Sequence, residues 1–136
     1  HKPANISVAA VALNKQMNLL EGRLDDDGVI FHSGKLRLDL SALFKRPLSR
    51  LAGQALTLGI RAEDLQPTED QKSWLHGEVE LVEDLGSDRF VHLKSGHLDL
   101  VARAGRDLAL PQGETIGLKV IPDQIHFFQG GGRVEP

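Results

Sequence analysis

The chain contains no cysteine among its 136 residues. This absence excludes disulfide frameworks, thiolate zinc sites and cysteine nucleophiles, and it fits a reducing cytoplasm. Basic residues are not in excess either, since 16 Lys and Arg stand against 19 Asp and Glu, for a net charge of −3. Aromatic residues make up only 4% of the chain. A protein that binds single-stranded nucleic acid needs a basic groove and stacking aromatics, so this composition disfavours that class. The available rings are Phe31, Phe44, Trp74, Phe90, Phe127 and Phe128.

Long apolar runs and processing signals are also missing. The longest apolar run covers residues 8–13, far short of the ~20 residues that a membrane-spanning helix needs. There is no secretory signal peptide. The first residue is His1 rather than methionine. We therefore expect the chain to begin inside a longer polypeptide or to have been processed.

The motifs of common catalytic sites are absent as well. The sequence has no G-x-x-x-x-G-K-[ST] loop, no H-E-x-x-H pair and no G-x-S-x-G elbow. His92 and His97 lie on either side of a turn, but a two-histidine metal site lacks a nearby third ligand. Glu78 and Glu80 fall on a solvated strand face, where they serve solubility rather than acid–base chemistry. We predict that the chain has no enzymatic activity of its own.

Residues 77–93 carry the strongest structural pattern. Val79 and Leu81 alternate with Glu78 and Glu80, which predicts a half-buried strand with both apolar side chains on one face. The polar segment 83–88 predicts a turn, and residues 89–93 then resume the alternation. The stretch is typical of a strand, a turn and a returning strand.

Similar strand signals fill most of the remaining chain. Turn residues such as Asp27-Gly28 separate them. Pro67 predicts an exposed loop over residues 66–72, and residues 130–132 predict a flexible glycine tail. Trp74 is expected to anchor the core. About nine short strands with almost no helix favour a small all-β barrel or sandwich. Besides the two arms of residues 77–93, these strands are 17–24, 29–32, 35–40, 55–60, 97–104, 115–121 and 125–128.

The first residues differ from the rest. Pro3 suits a helix start, Asn5 suits a cap, and Ile6 and Leu13 lie on one helical face, which predicts a short helix over residues 2–13. Two interpretations stay open at this point. The helix packs on the domain that follows, or it is the tail of a preceding domain.

Three segments together resemble a known family. They are residues 58–65 (LGIRAEDL), residues 77–93 with the L-G-S turn, and residues 113–128 from G-E-T-I-G to I-H-F-F. Their order is similar to the regulatory region of ATPase subunits from sugar-importing ABC transporters, of the maltose and glycerol-3-phosphate importer type. Residues 2–5 (KPAN) and 17–18 (MN) resemble that family's junction with its nucleotide-binding domain. Ala62 departs from the family's proline, and Gln129 from its acidic residue.

The resemblance implies a fold and a role. It implies an OB-like β-barrel, called a TOBE domain, over residues 17–136, after a junction helix and linker over residues 1–16. The implied role is regulation and dimerisation, with ATP and magnesium bound in a separate nucleotide-binding domain and no cofactor here. Implied partners are a second ATPase subunit, membrane permease subunits and a regulatory protein, with no nucleic acid, at the cytoplasmic side of the membrane. The implied regulatory or interface residues are Gly59, Arg61, Glu63, Asp64, Gly86, Ser87 and Asp88. Gly59 and Gly86 are expected at exposed strand ends, where loops carry binding surfaces.

A different class of function stays open beside it. OB-like barrels also occur as free-standing binding modules. The alternative is therefore a module for single-stranded nucleic acid or for a small ligand, either a sugar or an oxyanion.

Overall fold

The computed structural model describes residues 17–70 and 72–136. In these residues the chain forms eleven strands and four 3₁₀ helices, so the all-β prediction is confirmed. The predicted helix over residues 2–13 lies outside the described residues. The strands are β1 (Met17–Leu24), β2 (Ile30–Ser33), β3 (Leu36–Asp39), β4 (Ala55–Arg61), β5 (Leu65–Thr68), β6 (Leu75–Asp84), β7 (Arg89–Ser95), β8 (Leu98–Ala104), β9 (Thr115–Val120), β10 (His126–Gln129) and β11 (Gly132–Val134).

The strands form two antiparallel sheets. The first has six strands in the order β11-β10-β4-β1-β2-β3, and the second has five in the order β5-β9-β6-β7-β8. The 3₁₀ helices Leu40–Ala42 and Ser49–Leu51 occupy the segment between β3 and β4. The helix Ala62–Asp64 joins β4 of the first sheet to β5 of the second. The chain therefore passes between the sheets at residues 62–64.

Alternating side chains place one face of each sheet against a shared core. Leu98, Leu100 and Ala102 of β8 are all buried, as their spacing predicts. One contiguous cluster of buried side chains includes members of both sheets, among them Leu58 of β4 and Leu118 of β9. Trp74 packs against this cluster, as expected for an anchoring tryptophan. The two sheets are thus stabilised by one hydrophobic core.

Asn18 is the main polar link between the sheets. It is only 4% exposed, because its side chain extends from β1 to Val101 of β8. Its amide nitrogen donates to the carbonyl oxygens of Ile60 (3.0 Å) and Val101 (2.8 Å), and its side-chain oxygen accepts from the Val101 amide at 2.7 Å. The side chain therefore pairs with the edge of β8 much as a neighbouring strand would.

A second link joins two hairpin turns. His97, after β7, lies 3.3 Å from the hydroxyl of Ser33 at the end of β2. Ser33 is fully buried and also donates to the Glu21 carbonyl oxygen at 2.6 Å. A Cβ atom at Gly34 would lie 3.0 Å from the His97 ring, so the turn needs glycine both for this close approach and for its φ of +60°.

The segment after residue 64 differs from the prediction. Residues 66–72 were expected to form an exposed loop, but Leu65–Thr68 form β5, paired with β9. β5 lies at the edge of its sheet, where a proline without an amide hydrogen is tolerated. Pro67 stands opposite Leu118 in that pairing. The presence of proline therefore ruled out a central strand but not an edge strand.

The glycine-rich segment is also ordered differently from the prediction. Residues 130–132 were expected to be a flexible tail. Gly130 and Gly131 instead have φ values of +57° and +83° and turn the chain between β10 and β11. Positive φ values are accessible to glycine at little cost, which explains its use in this hairpin.

The third difference lies in β6. Val79 and Leu81 were expected on one face, but the pairing of β6 with β7 shifts between these two residues at a β-bulge. Val79 is 1% exposed and lies in the core, whereas Leu81 is 52% exposed. The bulge adds a residue to one strand and so reverses the facing of every side chain beyond it.

Candidate regulatory surface

Gly59 lies in the middle of β4 rather than in an exposed turn. It stands opposite Leu19 of β1 and His126 of β10. A Cβ atom there would lie 2.7 Å from Cε2 of Phe128 and 2.8 Å from the sulfur of Met17. The expectation that this glycine sits at an exposed strand end was therefore wrong. It permits close packing on the outer face of the six-stranded sheet.

Arg61, Glu63 and Asp64 surround the crossing between the sheets. Arg61 ends β4, and the next three residues form the 3₁₀ helix. Partial burial, helped by the neighbouring charge of Glu63, raises the pKa of the Asp64 carboxyl, although Arg61 opposes the effect. Burial, followed by the charges of Arg133 and Arg61, lowers the pKa of His126. These charged groups are close enough to act on one another, yet no ion pair within 4.0 Å joins them in the described residues.

Gly86, Ser87 and Asp88 form the tip of the β6–β7 hairpin, as predicted. Gly86 has a φ of +87°, and its amide donates to the Asp84 carboxylate at 3.0 Å. The Leu85 amide donates to the Asp88 carbonyl oxygen at 2.8 Å. Gly86 and Ser87 are exposed, and Asp88 is half-buried. The tip is therefore an ordered turn that presents polar side chains to solvent.

Arg89 holds this tip against the loop after β8. Its terminal nitrogen lies 2.7 Å from the carbonyl oxygen of Gly105 and 2.9 Å from those of Arg106 and Leu108. All three contacts are made by one nitrogen, Nη1, whose two hydrogens are shared among the three acceptors. Sequence reasoning missed this role, because nothing in the local spacing connects Arg89 to residues some 16 positions later.

Two ion pairs add to this contact. Arg103 of β8 lies 2.7 Å from the Asp88 carboxylate, and Arg106 lies 3.7 Å from that of Asp84. All four side chains are at least 37% exposed, so each pair contributes little to stability by itself. Their effect is to fix the position of the tip relative to β8.

A polar cleft of about 300 Å³ lies beside the tip. Residues of β5 form one wall of the cleft, and the hairpin tip together with the loop after β8 forms the other. The two predicted segments are not in contact, since no hydrogen bond or ion pair in the described residues joins residues 59–64 to residues 86–88. The cleft is lined by Gln66, Pro67, Ser87, Asp88, Arg103, Ala104, Gly105, Arg106 and Leu108.

The histidine pair does not form a metal site. His92 lies 3.0 Å from the Glu83 carboxylate, while His97 contacts Ser33, so the two rings have different partners. Within residues 17–70 and 72–136, no three His, Cys, Asp or Glu side chains are arranged to hold a metal ion. In the same residues, no helix has the length and apolar character that crossing a membrane requires.

Comparison with protein families assigns both parts of the chain. The model of the TOBE domain matches residues 58–128, and the model of the MalK OB fold domain matches residues 16–65. The mostly β architecture agrees with both. The chain belongs to the TOBE domain family, and its first part is similar to the MalK OB fold domain. The resemblance seen in the sequence is confirmed.

Curated relatives identify the type of protein in which this pair of domains occurs. The sn-glycerol-3-phosphate import ATP-binding protein UgpC of Pectobacterium atrosepticum is 32% identical over 136 residues, which is 98% of this chain and 37% of the relative. UgpC of Escherichia coli K12 is 31% identical over 130 residues, 95% of this chain and 35% of the relative. The chain thus spans little more than a third of the length of these relatives.

One solved structure shows the same fold. It is the cytoplasmic molybdate-binding protein ModG, with a TM-score of 0.59 and 15% sequence identity. The match covers 82% of this chain and 94% of ModG. At this identity the likeness concerns the fold alone.

Proposed function

We propose that this chain is the non-catalytic regulatory and dimerisation domain of the ATP-binding subunit of a carbohydrate ABC importer. The observation that carries the proposal is the match of nearly the whole chain to about a third of two import ATP-binding proteins. A nucleotide-binding domain in the remaining part of the parent would bind ATP and magnesium. Residues 1–16 would be the junction with it, and residues 17–136 the regulatory domain.

The partners follow from this role. The parent would form a homodimer through this domain and would contact membrane permease subunits through its nucleotide-binding domain, at the cytoplasmic face. The surfaces proposed for regulation are the sheet crossing at Arg61, Glu63 and Asp64 and the tip at Ser87 and Asp88. The ordered tip supports this assignment, because a surface that is fixed before binding loses less entropy on binding. Gly59 and Gly86 would act through the backbone shape they allow.

The glycerol-3-phosphate relatives suggest a substrate class for the parent, namely a small polyol or sugar, free or phosphorylated. Nucleic acid is not expected as a partner. Phe31, Phe127 and Phe128 are 0%, 3% and 6% exposed, so three of the five phenylalanines are not available for stacking on bases.

The first test is to identify the native gene product. An antibody raised against this chain should detect a polypeptide much larger than 14.9 kDa. Its peptides should include a phosphate-binding P-loop. A native product of the size of this chain would refute the proposal, because no nucleotide-binding domain would then be attached.

The second test measures regulation and dimerisation in that parent. Sedimentation of the parent and of a form lacking residues 17–136 should show weaker self-association for the truncated form. The ATPase rate per nucleotide-binding domain should persist in the truncated form but lose its response to the transport complex. If self-association and regulation are unchanged by the truncation, the proposed role is wrong.

A further inference from the structure

The β-bulge in β6 turns a leucine outward. Leu81 stands opposite His92 of β7, whereas its neighbour Val82 stands opposite the fully buried Val91. Leu81 therefore lies on the face away from the core, with 52% of its surface exposed. A bulge often turns a side chain to the other face of a sheet. An exposed apolar patch is more informative about binding than a buried apolar residue is.

Leu81 is the centre of a wider apolar surface. Across the sheet, Leu81 stands beside His92 of β7, and His92 stands beside Val101 of β8. Phe90 lies two residues from His92 along β7 and therefore on the same face. Phe90, His92 and Val101 are all half-buried on this face. We call Leu81, Phe90, His92 and Val101 the Leu81 face. Its three apolar side chains lie on one face of three neighbouring strands, with the His92 ring between Leu81 and Val101. Apolar residues grouped on one exposed face are typical of a protein–protein contact rather than of an isolated exposed residue.

The surroundings of the Leu81 face are acidic. Residues 77–88 contain five carboxylates and no basic side chain. Glu83 and Asp88 are held by His92 and Arg103, but Glu78 and Glu80 have no ion pair within 4.0 Å in the described residues. Both are exposed next to Leu81. Lys94 stands opposite Glu78 and interacts electrostatically with Glu80, but its ammonium group is paired with Asp99 at 2.9 Å. Carboxylates therefore outnumber basic groups around the apolar centre.

This charge pattern argues against a second copy as the occupant. In a two-fold contact centred on Leu81 the same patch lies on both sides, so the excess of carboxylates on one copy would meet the same excess on the other. Like charges brought together across an interface are unfavourable. A partner with the opposite charge would instead be attracted.

We propose that the Leu81 face binds a partner protein that presents an apolar side chain bordered by lysine or arginine. The inference rests on the proposed regulatory role and specifies the chemistry of the regulator. The apolar contact supplies affinity, and the charges supply selectivity and speed of association. Leu81, Phe90 and His92 lie on the same hairpin as Ser87 and Asp88, so a partner bound at the Leu81 face would contact the hairpin that carries the regulatory tip.

The test uses the whole 136-residue chain and a defined probe. The probe is a fluorescently labelled amphipathic helical peptide of leucine and lysine, and the control peptide replaces each lysine with glutamate. Anisotropy titration should show binding of the basic peptide and none of the acidic peptide. Raising the salt should weaken binding, because exposed charges are screened.

Two matched variants locate the contact. Leu81→Thr removes the apolar centre while keeping strand propensity, and Ile121→Thr makes the same type of change at a residue that is 59% exposed elsewhere. We expect Leu81→Thr to weaken binding about tenfold or more, as for loss of an anchor residue, and Ile121→Thr to leave it unchanged. Glu80→Gln should weaken binding by a smaller factor and reduce its salt dependence.

Three outcomes would overturn the inference. Equal losses of peptide affinity in the two threonine variants would show nonspecific binding, and binding of the acidic peptide would contradict the charge argument. If Leu81→Thr instead reduces self-association in sedimentation, a second copy occupies the face. None of these readouts involves ATP hydrolysis. If the peptide binds but the native product has the size of this chain, the proposed function is wrong and the docking surface is still supported.

Discussion

Asn18 shows how much a single side chain contributes to joining the sheets. Its three hydrogen bonds satisfy the edge of β8 at Val101 and the carbonyl oxygen of Ile60. Removal of one partner leaves buried backbone groups unsatisfied, which costs more than the bonds contribute on average.

Asn18→Ala should therefore reduce the free energy of unfolding by about 2–4 kcal/mol, with the loss arising from unpaired backbone groups. Urea titration followed by circular dichroism measures it. Gln124→Ala is the matched control, because Gln124 is an exposed amide, and it should change stability by less than about 0.5 kcal/mol. A loss below about 1 kcal/mol for Asn18→Ala would mean that water replaces the amide.

Three glycines should respond differently to alanine. At Gly22 a Cβ would run into the His32 carbonyl oxygen, which is backbone and cannot move aside. At Gly59 it meets the ends of Phe128 and Met17, and at Gly86 it meets nothing within 4 Å but the φ is +87°. We expect losses of about 3, 1–2 and 1 kcal/mol, respectively. Thermal unfolding of the three variants checks the order, and a larger loss at Gly86 than at Gly22 would contradict it.

His126 makes stability depend on pH in a defined direction. Its folded pKa lies below the ordinary histidine value of about 6.5, chiefly because burial disfavours the charged ring. As the pH falls through this range, the ring is protonated more readily in the unfolded state than in the folded state. The free energy of unfolding is therefore highest above the unfolded pKa and decreases as the pH falls. Arg133, Arg61 and Asp64 are the charged groups that act on the ring.

His126→Gln should flatten the fall of the unfolding midpoint between about pH 7.5 and pH 5.5. Differential scanning calorimetry at several pH values measures this fall, with His76→Gln, at an exposed position, as the control. A His126→Gln profile parallel to that of the unmodified chain would show that other groups cause the pH dependence.

At the scale of single elements, the β6–β7 hairpin depends on a contact that lies outside its own sequence. Arg89 binds three carbonyl oxygens of the loop after β8. Arg89→Lys keeps the charge but shortens the side chain, so its ammonium nitrogen falls short of the position of Nη1 and the loop at residues 105–108 should open more often. Hydrogen exchange should show faster exchange in that loop and in residues 85–88, with the β6 and β7 ladders unaffected. Arg106→Lys provides the comparison, because its ion pair is long and exposed.

Sequence patterns could predict most elements but not their irregularities. The alternation in β8, with Leu98, Leu100 and Ala102, follows directly from the burial of one strand face. The bulge after Val79 could not be predicted, because alternation continues through it in the sequence and only the partner strand reveals the shift. Pro67 also misled, since its meaning depends on whether the strand lies at an edge.

The candidate surface was predicted less completely than the fold. The hairpin tip at Gly86 was found because an L-G-S turn is a local signal. Gly59 was misplaced, because its packing against Phe128 and Met17 involves distant strands. Arg89 and Asn18 bind partners far along the chain, and no local spacing reports such contacts. Leu81 was predicted to share the core face with Val79, because the bulge that separates them leaves no sign in the alternating sequence.

At the scale of the whole molecule, the two matched families do not correspond to two independent cores. The MalK-type OB match covers residues 16–65, but β10 of the later segment pairs with β4 in the first sheet. The buried cluster also spans both sheets. We therefore expect a single cooperative unfolding transition for residues 17–136.

Fluorescence of Trp74, which lies near the second sheet, and far-ultraviolet circular dichroism should give coincident urea transitions. Combining Asn18→Ala with His97→Ala should lower the midpoint for both probes together. Two separated transitions in the unmodified chain would show that the sheets unfold as independent units.

The pairing of β10 with β4 also has a consequence for how the protein is made. A ribosome releases β4 long before β10, since His126 pairs with Gly59 across 67 positions of sequence. Until the last strands emerge, one edge of the first sheet has no partner, and an open edge can pair with other nascent chains. The nascent chain is therefore most vulnerable in the interval between the release of β4 and the release of β10.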